Sequence, residues 1–199
     1  MRKRTLLSLV AVLLVLGLAC GSFGAGGGSS TGVDITVTNR SPDEVCYVLI
    51  SPSSSESWGD DQLADDETIA PGDSRTFSMD EDTHDVRAEN CEEIAMATAW
   101  EISKDTTVTV GERGADTRLL IVNDSNTDVC YVFISRTTAD DWGEDWMGDM
   151  EQLVTGESRL FYVDGGLYDL QAADCDGEPL AEEYEVDITE DLTWTLYDE

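Results

Sequence analysis

Acidic residues dominate the composition of this 199-residue chain. There are 43 Asp and Glu against 11 Lys and Arg, which gives a net charge of −32 at neutral pH. A surface this negative repels nucleic acid and anionic lipid headgroups, so neither is expected as a direct ligand. The acids are spread along the chain instead of forming a tail, which favours solubility outside the cell and attraction of cations or of a cationic partner.

The amino terminus has the features of an export signal. Residues 2–4 are all basic, residues 6–18 are almost entirely apolar, and small residues lead to Cys20. The apolar stretch is shorter than the roughly 20 residues that a transmembrane helix needs. We therefore predict a signal peptide at 1–19. Its removal takes away three positive charges and leaves the mature chain at −35.

The segment LGLAC at residues 16–20 resembles the lipobox of bacterial lipoproteins, in which the cysteine is lipidated and becomes the first residue of the mature protein. Ala19 fits this pattern, whereas Gly17 stands where the family usually has Leu. The resemblance implies a lipid anchor at Cys20. Gly21 is not the acidic residue that signals inner-membrane retention in that family, which implies a location in the cell envelope, on the outer membrane or cell surface. The alternative is an ordinary signal peptide in which Cys20 has no role.

Residues 20–32 form a tether. They consist mainly of Gly and Ser, which gives a flexible coil with almost nothing to pack. On a random-coil estimate, such a segment holds the folded part about 20 Å from an anchor.

The rest of the chain is one module used twice. Residues 39–91 and 123–175 align without a gap at an offset of 84, with matching Asn, Cys, Trp, Gly and acidic positions. This predicts a first module at 33–110, a linker at 111–117 and a second module at 118–199. Any chemistry that is essential to the module should occur in both copies.

Each module contains six short segments with strand character, separated by turns. This pattern predicts an all-β fold made of two tandem, small, antiparallel β-sandwiches of immunoglobulin-like type. The apolar runs at 45–50 and 129–134 predict central strands that are covered on both faces. The segment ISPSSSESWGDD at 50–61, followed by PGDS at 71–74, is similar to β-rich modules of uncharacterised secreted bacterial proteins, which implies an exported β-domain and no particular activity.

Four of the five cysteines belong to the repeat. They form two pairs with the same separation of 45 residues: Cys46 with Cys91, and Cys130 with Cys175. In an exported protein, an even set at matching spacings predicts one disulfide within each module, and it leaves Cys20 for lipidation. Metal binding by the four cysteines is the alternative, although the chain has no CxxC pair.

The longest irregular segment of each module lies between its second and third strands and contains a repeated Trp-Gly pair at Trp58 and Trp142. Long loops often carry function. Their oxygen-rich composition suits a hard cation such as calcium, and the candidate ligands are Asp60, Asp61, Asp65, Glu67, Glu144, Asp145, Asp149 and Glu151. The spacing is not that of an EF-hand. The alternative, which we expect, is that the acids are solvated and the tryptophans attach the loops to the sandwich.

No catalytic constellation occurs in both copies. The chain's one histidine, His84, is replaced by Tyr168 in the second copy, and there is no GxSxG, HExxH or phosphate-binding loop motif. We therefore expect a non-catalytic, lipid-anchored envelope protein whose modules bind an extracellular or envelope partner or serve a structural role. A calcium-dependent adhesion module is the alternative, and a hydrolase is less favoured. No cofactor is expected unless calcium binds the loops.

Overall fold

The structure is a computed structural model that describes residues 32–112, 114–148 and 150–198. The predicted signal peptide, the predicted lipidation site Cys20 and most of the tether lie outside these ranges. Within them the chain forms twelve strands and no helix, so no helix of the length and apolarity of a membrane span is found there.

The first six strands follow one another through the first copy of the repeat. They are β1 (Val33–Asn39), β2 (Tyr47–Pro52), β3 (Ser74–Met79), β4 (His84–Glu89), β5 (Ala95–Ile102) and β6 (Thr106–Val110). The second copy repeats this order. Its strands are β7 (Thr117–Asn123), β8 (Tyr131–Arg136), β9 (Ser158–Val163), β10 (Gly166–Ala173), β11 (Pro179–Ile188) and β12 (Leu192–Leu196).

Each copy places its six strands in two sets of three. In the first copy these are β3-β1-β6 and β2-β4-β5, and in the second they are β9-β7-β12 and β8-β10-β11. The predicted all-β fold is confirmed, and the sheets have a sandwich-like arrangement. Most neighbours within a copy are antiparallel, but the first and last strands, β1 with β6 and β7 with β12, are parallel. A parallel pair needs a long connection, and here the intervening four strands supply it.

The two copies share a sheet. Strand β9 pairs with β5 in parallel at Ala95 and Arg159, which joins one set from each copy into a six-stranded sheet of order β12-β7-β9-β5-β4-β2. We call the contact between β5 and β9, with the loops beside it, the joint. Because backbone pairing crosses the joint, the two modules are connected by more than their linker.

Side chains alternate between the two faces of each strand, and the inward-facing apolar side chains form one core in each copy. Fully buried members include Ile35, Val37 and Val86 in the first copy, and Leu119, Ile121 and Leu170 in the second. Leu160 and Tyr162 of β9 break this division, because they pack in the core cluster of the first copy. At roughly 1.5–3 kcal/mol for each large apolar side chain that is fully buried, these two residues contribute substantially to holding the copies together.

The two copies differ in sequence at the positions of Leu160 and Tyr162, in agreement with the packing of these residues. At an offset of 84, Leu160 and Tyr162 correspond to Thr76 and Ser78 of β3, which are exposed and partly hydrogen-bonded to β1. Strand β3 lies at a free sheet edge, whereas all but the first residue of β9 are buried. The apolar residues therefore occur in the copy whose strand is covered by a neighbouring module.

The prediction of central strands at 45–50 and 129–134 is wrong, because β2 and β8 each lie at the edge of a sheet. Val48 and Val132 are buried, whereas Leu49 and Phe133, on the other face, are only half-buried. The loop that follows each strand folds back along its free edge, and Gln62 N–H and Trp146 N–H donate to the carbonyls of Val48 and Val132 at 2.8 Å in both copies. The loop thus covers the edge as a neighbouring strand would.

A buried Asn-x-Ser corner ends the first strand of each copy. The Asn39 side-chain amide donates to the carbonyl oxygens of Asp43 and Ile69, and its oxygen accepts from Ser41. Asn123 and Ser125 repeat these contacts in the second copy. Such a network costs little when every member is paired, and it explains why these residues recur in both copies.

One disulfide closes each copy. Cys46–Cys91 and Cys130–Cys175 join the residues just before the second strand and just after the fourth, with Cα atoms 5.0 and 4.9 Å apart. Two such disulfides mark a protein of the extracellular, non-cytoplasmic type.

Candidate functional site

The repeated acidic loops are built around one aspartate that binds the backbone of the neighbouring strand. Asp61 Oδ1 accepts the N–H groups of Val48, at 2.8 Å, and of Leu63, at 3.1 Å. Asp145 makes the same pair of contacts with Val132 and Met147, at 2.8 and 3.0 Å. Val48 and Val132 lie in the edge strands, so these two candidate calcium ligands serve to attach the loop to the edge.

Glu67 and Glu151 also occupy structural positions. Glu67 accepts from Ala64 N–H and from Arg75 Nε at 2.9 Å, in a solvent-exposed ion pair. Glu151 accepts from Gly148 N–H and from Arg159 Nε at 2.7 Å.

The second ion pair is buried, with side chains 5% and 8% exposed, because it lies at the joint. Burial acts to raise the pKa of Glu151, but the positive charge of Arg159 and the Gly148 N–H outweigh it and hold the pKa below its usual value.

The remaining candidate ligands are placed differently. Asp60, Asp65 and Glu144 are exposed to solvent, and Asp149 lies outside the described residues. Within the described part of the chain, the residues that bring three ligating atoms close together are Glu44 with Cys46 and Cys91, and both of these sulfurs belong to a disulfide. None of the eight predicted carboxylates takes part in such a group there.

The repeated tryptophans pack against the fifth strand of each copy. The Trp58 ring lies 5.1 Å from that of Trp100 in β5, and the Trp142 ring lies 5.8 Å from that of Tyr184 in β11. The residue after Trp58 is glycine because the backbone passes close to β2 there. A Cβ at Gly59 would lie 2.7 Å from the Ile50 oxygen. The aromatic contact therefore attaches the long loop to the outer face of the sheet.

Arg87 organises that face in the first copy. Its guanidinium lies 5.8 Å from the centre of the Trp58 ring and forms an ion pair with Glu89, with 2.6 Å between Nε and Oε1. Glu157 of the second copy approaches the same guanidinium at 3.8 Å. Burial raises the pKa of Glu89, although Arg87 opposes that shift. Sequence reasoning missed this group, because Arg87 is replaced by Gln171 in the second copy.

A polar cluster holds the opposite side of the joint. Arg118 Nε donates to Asp43 Oδ2 at 2.6 Å, the Tyr162 hydroxyl donates to the same oxygen at 2.9 Å, and Arg118 Nη1 donates to Asp191 at 2.9 Å. The hydrogen bond from Arg118 holds the pKa of Asp43 below its usual value against the effect of burial. Burial and the Asp43 charge raise the pKa of Tyr162. The positions of Asp43, Arg118 and Tyr162 have different residues in the other copy.

A cavity of about 230 Å³ opens at the joint below the Trp58 loop, and we call it the joint pocket. Its lining comes from both copies: Trp58, Arg87, Ala95, Thr98 and Trp100 from the first, and Met150, Glu151, Gln152, Leu153, Val154, Glu157, Ser158 and Arg159 from the second. Met150 and Val154 are exposed, so the cavity is open to solvent.

Two residues that line the joint pocket, Thr98 and Trp100, each have a buried polar atom, Oγ1 and Nε1, without a hydrogen-bond partner among the described residues. Trp100 Nε1 is buried and has no hydrogen-bond acceptor among the described residues. A buried N–H group without a partner costs about 1–3 kcal/mol, and such groups are uncommon in folded proteins.

His84 has no histidine counterpart in the second copy. It is 3% exposed, and its Nε2 lies 2.9 Å from Asp80 Oδ1. Tyr168 takes its place in the second copy and donates from its hydroxyl to the Asp164 carbonyl at 2.7 Å. Both side chains thus contact the aspartate four residues earlier, His84 at the aspartate's carboxylate and Tyr168 at its backbone carbonyl.

Comparison with known proteins yields little. No family model and no curated protein matches the chain. Among solved structures, the Bacillus anthracis TIE protein is similar over 84% of this chain and 34% of its own, with 8% identity and a TM-score of 0.28. The match thus spans about a third of that protein.

Proposed function

We propose that the protein is an exported, non-catalytic lipoprotein that displays two linked β-modules at the end of a flexible tether to bind a component of the cell envelope or its surroundings. The lipobox-like segment and the Gly/Ser stretch support the anchor and the tether. The two disulfides are consistent with this location, because they belong to proteins that fold outside the cytoplasm.

The main support for the proposal is that residues shared by both copies have structural roles, whereas some residues that differ between the copies form the contact between them. The side chains that both copies share, among them Asp61 and Asp145, hold loops and corners in place. Among the side chains that differ, Leu160 and Tyr162 pack in the core of the other copy, and Arg118 forms an ion pair with Asp43 across the joint. A duplicated scaffold specialised at one junction fits a binding platform better than a duplicated enzyme.

The anchor is tested by metabolic labelling. Cells that express the wild-type protein or the Cys20→Ser variant are grown with a labelled fatty acid, and their membranes are separated from the soluble fraction. We expect label and membrane association in the wild type alone, because a chain without acyl groups has no other anchor in this proposal. Equal labelling of both proteins would rule the anchor out.

Binding is tested with the unlipidated chain. The purified mature Cys20→Ser variant is mixed with isolated cell envelopes and sedimented, and an unrelated protein of similar negative charge is the control. We expect the variant to sediment with envelopes while the control stays in solution. If both remain in solution, the binding part of the proposal is wrong.

A further inference from the structure

A groove of about 520 Å³ opens at the joint on the side of the Arg118–Asp43 ion pair, and we call it the Leu120 groove. Both copies build it. Its apolar lining includes Ile94 of the first copy with Leu120 and Leu192 of the second, and these three side chains are only half-buried. The groove therefore offers accessible apolar surface in a concave site, as ligand-binding sites do.

The charged residues that line the Leu120 groove are mostly acidic. Arg118 is the one basic residue in this lining, and its guanidinium already forms ion pairs with Asp43 and Asp191. Glu44 and Glu92 are exposed, and neither forms an ion pair within the described part of the chain. Four carboxylates against one guanidinium give the groove a net charge of −3.

Apolar surface beside unpaired carboxylates suits a lysine or arginine side chain. Such a side chain lays its apolar stem along apolar surface and keeps its charged end in a polar setting. Another copy of this chain, with a net charge of −35, would be repelled. A single exposed ion pair contributes little, so a polypeptide segment that presents several basic residues fits the groove better than a free amine does.

The second copy supplies a matched comparison. Asp128 and Asp176 correspond to Glu44 and Glu92 at the offset of 84, and both are exposed. Strand β11 ends its sheet in the described part of the chain, so no strand adjoins it as β9 adjoins β5. The molecule therefore contains the same pair of acidic positions with and without a neighbouring module.

We propose that the Leu120 groove binds a basic segment of a partner polypeptide, with a Lys or Arg stem along the apolar lining and its charge beside Glu44 and Glu92. This inference rests on the proposed binding function and names the class of partner. Because both copies line the groove, binding requires them in their joined arrangement.

The test follows the backbone N–H signals of the ¹⁵N-labelled mature Cys20→Ser protein. Trilysine and triarginine, each blocked at both ends, are titrated into the millimolar range at physiological ionic strength, where attraction between distant charges is screened. We expect at least one peptide to shift the signals of Ile94, Leu120 and Thr193 saturably.

Two variants of equal charge separate the groove from the acidic surface as a whole. Glu44→Gln/Glu92→Gln should bind the peptide about tenfold more weakly, which corresponds to about 1.4 kcal/mol. Asp128→Asn/Asp176→Asn removes the same number of charges at the corresponding positions of the second copy, and it should bind as the wild type does.

Three results would overturn the inference. Groove signals that respond to neither peptide would mean that no basic segment binds there. Equal weakening in both variants would reduce the effect to attraction by the net charge. Spermidine that binds as tightly as trilysine would make the occupant a free amine. The wild-type titration is independent of any folding defect in the variants. If envelopes still retain the protein while both peptides fail, the proposed function stands without the basic segment.

Discussion

Arg159 of β9 and Glu151 of the preceding loop form a buried ion pair at the joint, with 2.7 Å between Nε and Oε1, and the same pair exists in exposed form at Arg75 and Glu67 of the first copy. Arg159 also donates from Nη1 to the Ala95 carbonyl of β5, at 3.3 Å. The same Glu–Arg ion pair is therefore buried in one copy and exposed in the other. A comparison of the two pairs measures how burial changes the contribution of the pair to stability.

Removal of one partner of the buried pair should be far more damaging than the matched change in the exposed pair. Arg159→Met leaves Glu151 charged and unpaired in a buried site, which costs about 3–5 kcal/mol. Arg75→Met should change stability much less, because water solvates Glu67. Urea unfolding of both variants measures the difference. Equal losses would mean that the joint does not isolate Glu151 from solvent.

Acid should weaken the joint through Asp43. Its pKa is held below the usual value by the hydrogen bond from Arg118, with Tyr162 as a second donor, and against the effect of burial. The folded pKa is thus lower than the unfolded one, so the contribution is complete above about pH 4 and is lost as the pH falls through the folded pKa. The stability difference between wild type and Asp43→Asn should therefore shrink between neutral pH and about pH 3.

This pH dependence needs a control for net charge. Glu44→Gln removes one negative charge at the neighbouring exposed position and serves as the control for net charge. Urea unfolding at a series of pH values gives both curves. A difference for Asp43→Asn that stays constant down to pH 3 would contradict the assignment.

The aspartate that attaches each loop should matter more than its exposed neighbour. Asp61→Ala leaves the Val48 N–H without its acceptor and should cost about 1–3 kcal/mol. Asp60→Ala, one residue away and exposed, should change stability little. The corresponding pair in the second copy is Asp145→Ala and Glu144→Ala. Thermal unfolding of the four variants is the measurement, and similar losses at Asp60 and Asp61 would contradict it.

Calcium and magnesium should stabilise the mature protein equally. Four of the eight candidate ligands make structural contacts, at Asp61, Glu67, Asp145 and Glu151. We therefore expect both ions to act only by screening the net charge of −35. A specific calcium site would raise the unfolding free energy by about 2.7 kcal/mol at a hundred times its dissociation constant. Melting in chelator, calcium and magnesium at matched ionic strength separates the two outcomes.

Exchange of the β9 residues for those of β3 should uncouple the copies. The variant Leu160→Thr/Tyr162→Ser removes two buried side chains from the first core and should cost several kcal/mol, about 2–5 for each. We expect calorimetry to show two separate transitions in place of one cooperative transition. The control, Thr76→Ser/Ser78→Thr, changes the exposed counterparts and should unfold as the wild type does. A single, merely lowered transition would show that the backbone pairing of β5 with β9 is enough to couple the copies.

Local pattern explains what could be predicted of the site and what could not. Asp61 and Asp145 were identified because they recur in both copies, but recurrence does not distinguish a metal ligand from a carboxylate that binds a backbone N–H. Arg87 and Trp100 were missed for the opposite reason. Their counterparts are Gln171 and Tyr184, so a search for repeated residues passes over them.

The edge strands show a related limit. An apolar run predicts that a strand is covered, but it does not predict which part of the chain covers it. In β2 the cover on the open side is its own loop, attached at Asp61, and the sequence alone could not separate this from cover by another strand.

By itself, the sequence determined the all-β class, the twofold repeat, the six strands of each copy and the even set of cysteines. These features follow from alternation, spacing and turn residues, which act over a few positions of the chain. Only the tertiary structure decided the strand order, the position of β2 and β8 at sheet edges, and the joint. The physical reason lies in Leu160, Tyr162 and Arg159, since apolar or paired side chains are stable on a strand face only when another surface covers it. That surface comes from a strand more than sixty residues earlier in the chain.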